Sequence, residues 1–262
     1  MCGRFVITSA PAAVRLAFGY VDQPNFPPRY NIAPTQPIPV VMLEHGARRF
    51  RLMRWGLLPS WVKDPGKFTL LINARSETVL DKPAFRAAIK RRRCLVPADG
   101  YFEWQAAGKR KQPYFIHPRD GGPIGLAALA ETWVGPNGEE LDTVAILSTA
   151  ASGDLAQLHH RVPVTIAPQD YERWLDCTNF DAETAVALLH PPEEGAFVWH
   201  PVSTAVNRVA NDNAQLLLPI AAEDIAAAED RTPSAAPKPA KKAIARKAMP
   251  PSSGGHGQGA LF

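Results

Sequence analysis

Gly100-Tyr-Phe-Glu-Trp104 and Gln112-Pro-Tyr-Phe-Ile-His117, joined through Ala-Ala-Gly-Lys, decide the fold class. Two aromatic-rich runs flanking a glycine turn read as an antiparallel hairpin. Working outward, residues 40–43 and 49–55 form a second strand pair around the turn at Glu44-His-Gly46. Residues 124–130 and 144–149 are nearly all apolar, as central strands are, and 162–167 read as a further strand. Leu70-Leu-Ile72 adds a short apolar strand. Helices are fewer. One is expected over 11–18, capped by Thr8 or Ser9 and stopped by Gly19. A second is expected over 82–93, entered at Pro83 with Phe85 and Ile89 four apart, and others over 168–175 and 181–189. Strands arriving as hairpins argue for an α+β fold of mainly antiparallel curved sheets, not a βαβ parallel sheet.

The 262 residues hold 46% apolar and 21% charged side chains, which excludes wholesale disorder. No run reaches the ~18 apolar residues of a membrane helix, and Arg4, Ser9, Pro11 and Arg15 interrupt any signal-peptide core. A soluble, cytoplasmic protein is therefore expected. From about residue 225 the chain turns to Ala, Pro, Lys, Ser and Gly, so 1–224 are expected to fold and 225–262 to form a disordered tail. The charge divides the same way. Past Asp230 there are six cations and no acid; removing them from the 29 Lys and Arg leaves 23 against 25 acids, or −2, for the rest. A globally basic nucleic-acid-binding body is not supported, whereas a local basic patch remains open.

Three widely spaced cysteines form neither a disulfide framework nor a zinc pattern. Cys94 and Cys177 read as structural thiols. Cys2 differs because a small second residue permits removal of Met1 and would leave Cys2 as the N-terminus. An α-amine and a thiol on adjacent carbons, with reference pKa values of about 8 and about 8.5, capture an aldehyde together: the amine forms a Schiff base and the thiol closes a thiazolidine. The plain alternative is a residue merely tolerated after Met.

Glu103 lies between aromatics, where a carboxylate loses solvation and becomes a general acid, unless it simply faces out from an edge strand. His159 and His160 precede Arg161-Val-Pro163 and read as a catalytic imidazole, a metal site or a surface pair; no third ligand stands at metal spacing. Asn73, after the apolar strand, is a catalytic amide or a turn residue. Trp55 fits the core, while Trp61 on its loop suits base stacking or core packing equally. Arg4, Arg75 and Arg161 each adjoin a candidate and would suit phosphates; the Arg91–Arg93 run reads as a solvated helix end.

Taken together, Met1-Cys2-Gly3-Arg4-Phe5, Tyr30-Asn-Ile-Ala-Pro34, Trp55-Gly with Pro59-Ser-Trp61, Asn73-Ala-Arg75, Pro97-Ala-Asp-Gly-Tyr-Phe-Glu-Trp104 and His159-His-Arg-Val-Pro163 resemble the SOS-response-associated peptidase (SRAP) family. The blocks occur in order across about residues 1–220. The resemblance implies recognition of abasic sites in single-stranded DNA and a covalent cross-link through Cys2 during the DNA damage response. In that light Cys2 is the nucleophile, Asn73 orients its amine, Glu103 helps open the deoxyribose, and His159 is the acid/base of Schiff-base formation and reversal. Arg4, Arg75, Thr149 and Arg161 match phosphate-holding positions, Trp61 one that stacks near the lesion, and the fold a curved α+β domain around a positively charged cleft. The family pattern His-x-Arg-x-Pro has His160 at x, so a second imidazole adjoins the catalytic one.

Some lyase character is expected, because a Schiff base at C1′ acidifies the C2′ protons. Two rival readings are a cysteine peptidase of Cys2, Glu103 and His159 and a non-catalytic single-strand-binding module. Neither a metal nor another cofactor is called for, and a monomer is expected. The last residues, Gln258-Gly-Ala-Leu261-Phe262, resemble the peptides by which bacterial repair proteins dock on the sliding clamp.

Overall fold

A computed structural model describes residues 2–108 and 110–221. Met1, Lys109 and the expected tail lie outside them. Thirteen strands follow in order: β1 (Phe5–Ile7), β2 (Arg29–Ile32), β3 (Pro37–Glu44), β4 (Ala47–Trp55), β5 (Asn73–Arg75), β6 (Arg93–Ala98) and β7 (Gly100–Ala107). The remainder are β8 (Arg110–Pro118), β9 (Ile124–Val134), β10 (Glu140–Ala150), β11 (Arg161–Pro163), β12 (Thr165–Ile166) and β13 (Phe197–Pro201). The helices are α1 (Pro11–Phe18), α2 (Ala88–Arg91), α3 (Tyr171–Leu175) and α4 (Ala182–Val186). The fold is α+β, as expected, with shorter helices and more strands than the periodicity indicates.

Local chemistry explains the elements read correctly. In the β3–β4 hairpin, His45 (φ 50°) and Gly46 (φ 77°) both take positive φ, the two-residue turn whose twist matches antiparallel strands. Helix α1 begins at Pro11 and ends on Gly19 in the left-handed conformation. Its N-terminus carries no side-chain cap, because Ser9 and Thr8 bond instead to Asp99: Ser9 Oγ donates to Oδ1 at 2.6 Å. The helix expected over 82–93 contracts to the four residues of α2, since the chain must already be extended at Arg93 to pair β6 with β9.

Strands β13-β8-β7-β1-β2 form one sheet and β11-β10-β4-β3-β6-β9-β12 the other, with β5 paired to β10. The second sheet also bonds β9 to β10, so β4, β3, β6, β9 and β10 close into a ring. Closure removes free edges from these five strands and encloses the main core, where Val40, Leu95, Ala127, Leu129, Ala145 and Leu147 are fully buried. Strand β10 is the hub, running parallel to β4 and β5 and antiparallel to β9 and β11.

One expectation fails here. Arg93 is no solvated helix end: it is 1% exposed, lies over the Trp174 ring and donates to the carbonyls of Ile89, Trp174, Asp176 and Phe180 at 2.5–3.0 Å. Four carbonyl acceptors make a guanidinium tolerable in the interior. Cys94 is fully buried, and Cys177 is part-buried on the turn after α3, its Sγ–H 3.6 Å from the Leu175 carbonyl. No helix among the described residues is long and apolar enough to cross a membrane.

Candidate active site

The candidate residues converge where the two sheets meet. Strand β1 pairs antiparallel with β7, Phe5 opposite Tyr101, and the Phe102 N–H donates to the Arg4 carbonyl at 2.9 Å. That register carries Cys2 toward Glu103. Gly100 lets β7 lie close against β8, since a Cβ there would stand 2.6 Å from the Ile116 carbonyl oxygen. From the other sheet, β5 and β11 flank β10, with Ser148 opposite both Arg75 and Pro163. These three strands supply Asn73, Arg75, Thr149 and Arg161.

Trp55 and Asn73 tie the halves together. The Trp55 indole meets Phe5 of β1 edge-on at 5.3 Å, and its Nε1–H donates to the Ile72 carbonyl at 2.9 Å. Asn73 Nδ2 then donates to the Cys2 carbonyl at 2.9 Å, across 71 residues of chain. Asn73 Oδ1 is buried and has no hydrogen-bond partner among the described residues. Asn73 is therefore a strand residue, not a turn residue, and it holds an unused acceptor beside the backbone of Cys2.

Cys2 is fully buried and its Sγ–H lies 3.7 Å from the Arg4 carbonyl. Burial, with the negative charge of Glu103 next in importance, pushes its thiol from 9.0 up to about 12. Glu103 is 3% exposed, and burial holds its carboxyl above the usual range, opposed by the charge of the amino terminus. The outward-facing edge reading of Glu103 does not hold.

The histidines reach this centre through β7, where Gln105 Nε2 donates to the Gln157 carbonyl at 2.8 Å. His159 is half-buried and His160 exposed, with their rings stacked 4.3 Å apart. His159 Nδ1 lies 3.0 Å from the Arg161 backbone nitrogen and 3.1 Å from the Arg161 carbonyl oxygen, so the ring is held against that residue's backbone. Desolvation chiefly depresses the His159 pKa, and the neighbouring His159 chiefly depresses that of His160. Both rings are neutral at pH 7.

The cations divide by exposure. Arg75 is exposed, and its side chain makes no hydrogen bond or ion pair among the described residues. Arg4 Nη1 donates to Asn31 Oδ1 at 2.7 Å and to the Val206 carbonyl at 2.8 Å, with its guanidinium over Trp104. Arg161 is 8% exposed and its Nη atoms donate to both Glu77 carboxylate oxygens, at 2.5 and 3.0 Å, and to Ser148. Thr149 is buried on β10. Trp61 is 58% exposed with its edge against Phe68, whereas Trp55 is wholly core.

A family model for the SOS response associated peptidase (SRAP) matches residues 1–209. The chain belongs to the SRAP family. Among curated SRAP relatives, Bacillus subtilis YoqW is 32% identical over 221 residues, 83% of this chain and 99% of its own length. Chicken (Gallus gallus) HMCES is 36% identical over 264 residues, covering 84% and 78%, and Escherichia coli YedK is 35% identical over 197, covering 73% and 85%. All three are named abasic site processing proteins. A crystal structure of a Bacteroides thetaiotaomicron protein shares the fold at TM-score 0.75 and 24% identity, covering 84% of this chain and all of that one. A phage-related protein from Bordetella bronchiseptica aligns at TM-score 0.64 and 31% identity, covering 77% and 94%.

Sequence reasoning assigned no role to Asn31, Glu77 or Ser148 in this SRAP site. Asn31 is 1% exposed and its Nδ2 bonds the carbonyls of Val206, Arg208 and Asn211, so it seats Arg4 against the last described segment. Its one signal was a polar residue inside the Tyr30-Asn-Ile run. Glu77 sat in plain view, two residues after Arg75, without any indication that its partner would be Arg161.

Proposed function

We propose that the protein processes abasic sites, binding them in single-stranded DNA and capturing them covalently through Cys2 once Met1 has been removed. The observation that carries this reading is the Asn73 amide, which grips the Cys2 carbonyl and keeps a buried acceptor beside it. An α-amine exposed at Cys2 is the donor that acceptor suits.

The chemistry follows from the neighbours. Glu103, kept protonated more readily by burial, donates to the deoxyribose ring oxygen as the hemiacetal opens to its C1′ aldehyde. The Cys2 amine adds to C1′ and water leaves, assisted by the His159 imidazole as acid/base, giving an iminium ion. Sγ then bonds to C1′ as the thiol proton passes to a neighbouring base, closing the thiazolidine. In sum, aldehyde and aminothiol give ring and water. A thiol raised to about 12 is idle beforehand; the iminium cation beside it is what makes its ionisation favourable.

Loss of a C2′ proton from the same iminium gives β-elimination, the lyase character proposed as a side path. A cysteine peptidase would need a depressed thiol pKa, and here the thiol is raised, so the cross-linking reading is better supported. Arg75 and Trp61, both exposed, suit backbone phosphate and base stacking at the mouth of a locally basic cleft. The proposal places the protein in the cytoplasm beside replicating DNA. Gln258, Leu261 and Phe262, outside the described residues, would dock on the sliding clamp.

Incubation with a single-stranded oligonucleotide carrying one abasic site is the test. A shifted band that survives denaturation is expected, and Cys2→Ser should bind the DNA yet leave no durable band. Durable cross-linking by Cys2→Ser would overturn the mechanism.

A further inference from the structure

The bond between Arg161 and Glu77 has a geometry that no structural role requires. Arg161 is already fixed without it: Nη2 donates to the carbonyl and hydroxyl oxygens of Ser148, at 2.5 and 3.1 Å, and its strand pairs with β10. Glu77 adds a two-pronged carboxylate from a three-residue 3-10 turn, Ser76–Thr78, with 45% of its side chain open to solvent. Arg161 is the main reason that the Glu77 pKa lies below the ordinary range. A guanidinium fork held in place by Ser148 and covered by a partly solvent-exposed carboxylate has the donor geometry of an anion site. The structure fills that site with the protein's own carboxylate.

We propose that Glu77 is a displaceable stand-in for a DNA backbone phosphate, which takes its place on Arg161 when a strand enters the cleft. This inference rests on the reading that the protein binds single-stranded DNA. A carboxylate and a phosphate both accept two parallel N–H bonds from one guanidinium, so the exchange preserves the geometry. Ser148 keeps the guanidinium aimed while Glu77 swings out on its short turn. At neutral pH Glu77 is ionised, so it opposes any strand that does not deliver a phosphate to this point. Glu77 thereby raises the selectivity of the cleft at the expense of affinity.

The experiment is a titration of full-length protein with an undamaged single-stranded oligonucleotide at several salt concentrations, with thermal melting as a check on folding. Glu77→Gln should bind about 3- to 10-fold more tightly than wild type, a smaller effect than a fully buried interfacial charge pair gives, because Glu77 is partly exposed. Its plot of log affinity against log salt should steepen by up to about 0.7, because in the wild type the displaced Glu77 carboxylate takes up a cation that offsets the one released by the phosphate. Both gains should vanish in an Arg161→Ala background, where Glu77 has nothing to occlude. Glu77→Asp, which keeps the charge but shortens the arm, should show an intermediate gain and serves if Glu77→Gln melts out. Unchanged or weaker binding in both variants would overturn the proposal. Wild-type protein that binds no single-stranded DNA would instead overturn the functional reading beneath it.

Discussion

The thiol of Cys2 should be close to inert until substrate arrives. Raising its pKa from 9.0 to about 12 lowers the thiolate fraction at neutral pH roughly a thousandfold, tenfold for each pKa unit. Since the thiolate is the species that alkylates, iodoacetamide should modify Cys2 at least about a thousandfold more slowly than an unperturbed thiol, before any steric shielding is counted. Cys177, part-buried, is the internal reference in the same chain. The assay is timed alkylation across pH with peptide mass spectrometry, reading the two cysteines separately. Glu103→Gln removes the second-largest cause of the shift and should move the Cys2 rate upward while leaving Cys177 where it was. Cys2 alkylating as fast as Cys177, with the same pH midpoint, would refute the argument that burial keeps this nucleophile protonated. An unchanged Cys2 rate in Glu103→Gln would refute the coupling between the two.

Glu103→Gln should slow cross-link formation by about 10²–10⁴-fold, and the wild-type rate should fall as pH rises through the Glu103 pKa while the variant loses that dependence. A carboxyl whose folded pKa is raised supports the fold below its unfolded pKa and loses that support as pH rises to the folded value. Glu103→Gln should accordingly melt no lower than wild type at pH 7, which calorimetry checks. His159→Ala should slow adduct formation or reversal in a quenched-gel time course far more than His160→Ala, whose ring is exposed; the reverse order would mean the pair is wrongly assigned. Arg75→Ala should flatten the salt slope of single-strand binding by about 0.7 without changing the melting temperature. Arg93→Ala strands four buried carbonyls and should lower stability by about 4 kcal/mol or more in a urea titration; a loss under ~1 kcal/mol would show that these carbonyls find other partners.

How much of this was legible in the chain depends on the range of each interaction. The β3–β4 hairpin, the β7–β8 hairpin and the span of α1 were readable because turn chemistry and Pro and Gly placement act within a few residues. The chemistry of Cys2 was readable too, since an aminothiol needs nothing beyond one residue at a chain start. Short strands escaped: β1, β2 and β13 have three to five residues and no period long enough to detect.

The closing of the ring through β9 and β10 and the parallel pairing of β10 with β4 and β5 were settled only in three dimensions. Strand pairing depends on which edges meet after the hydrophobic collapse, and composition does not encode that choice locally. The same holds for single side chains. Arg93 and the nearby Arg91 look alike in sequence, yet one is enclosed by four carbonyls and the other is exposed, because α2 ends at Arg91 and β6, starting at Arg93, turns that side chain inward. Glu103 became a buried acid only once β1 and the turn ending at Gln157 were laid against β7. The residue types that can do this chemistry were written in the sequence; their protonation states and partners came from desolvation and contacts that only the packed sheets create.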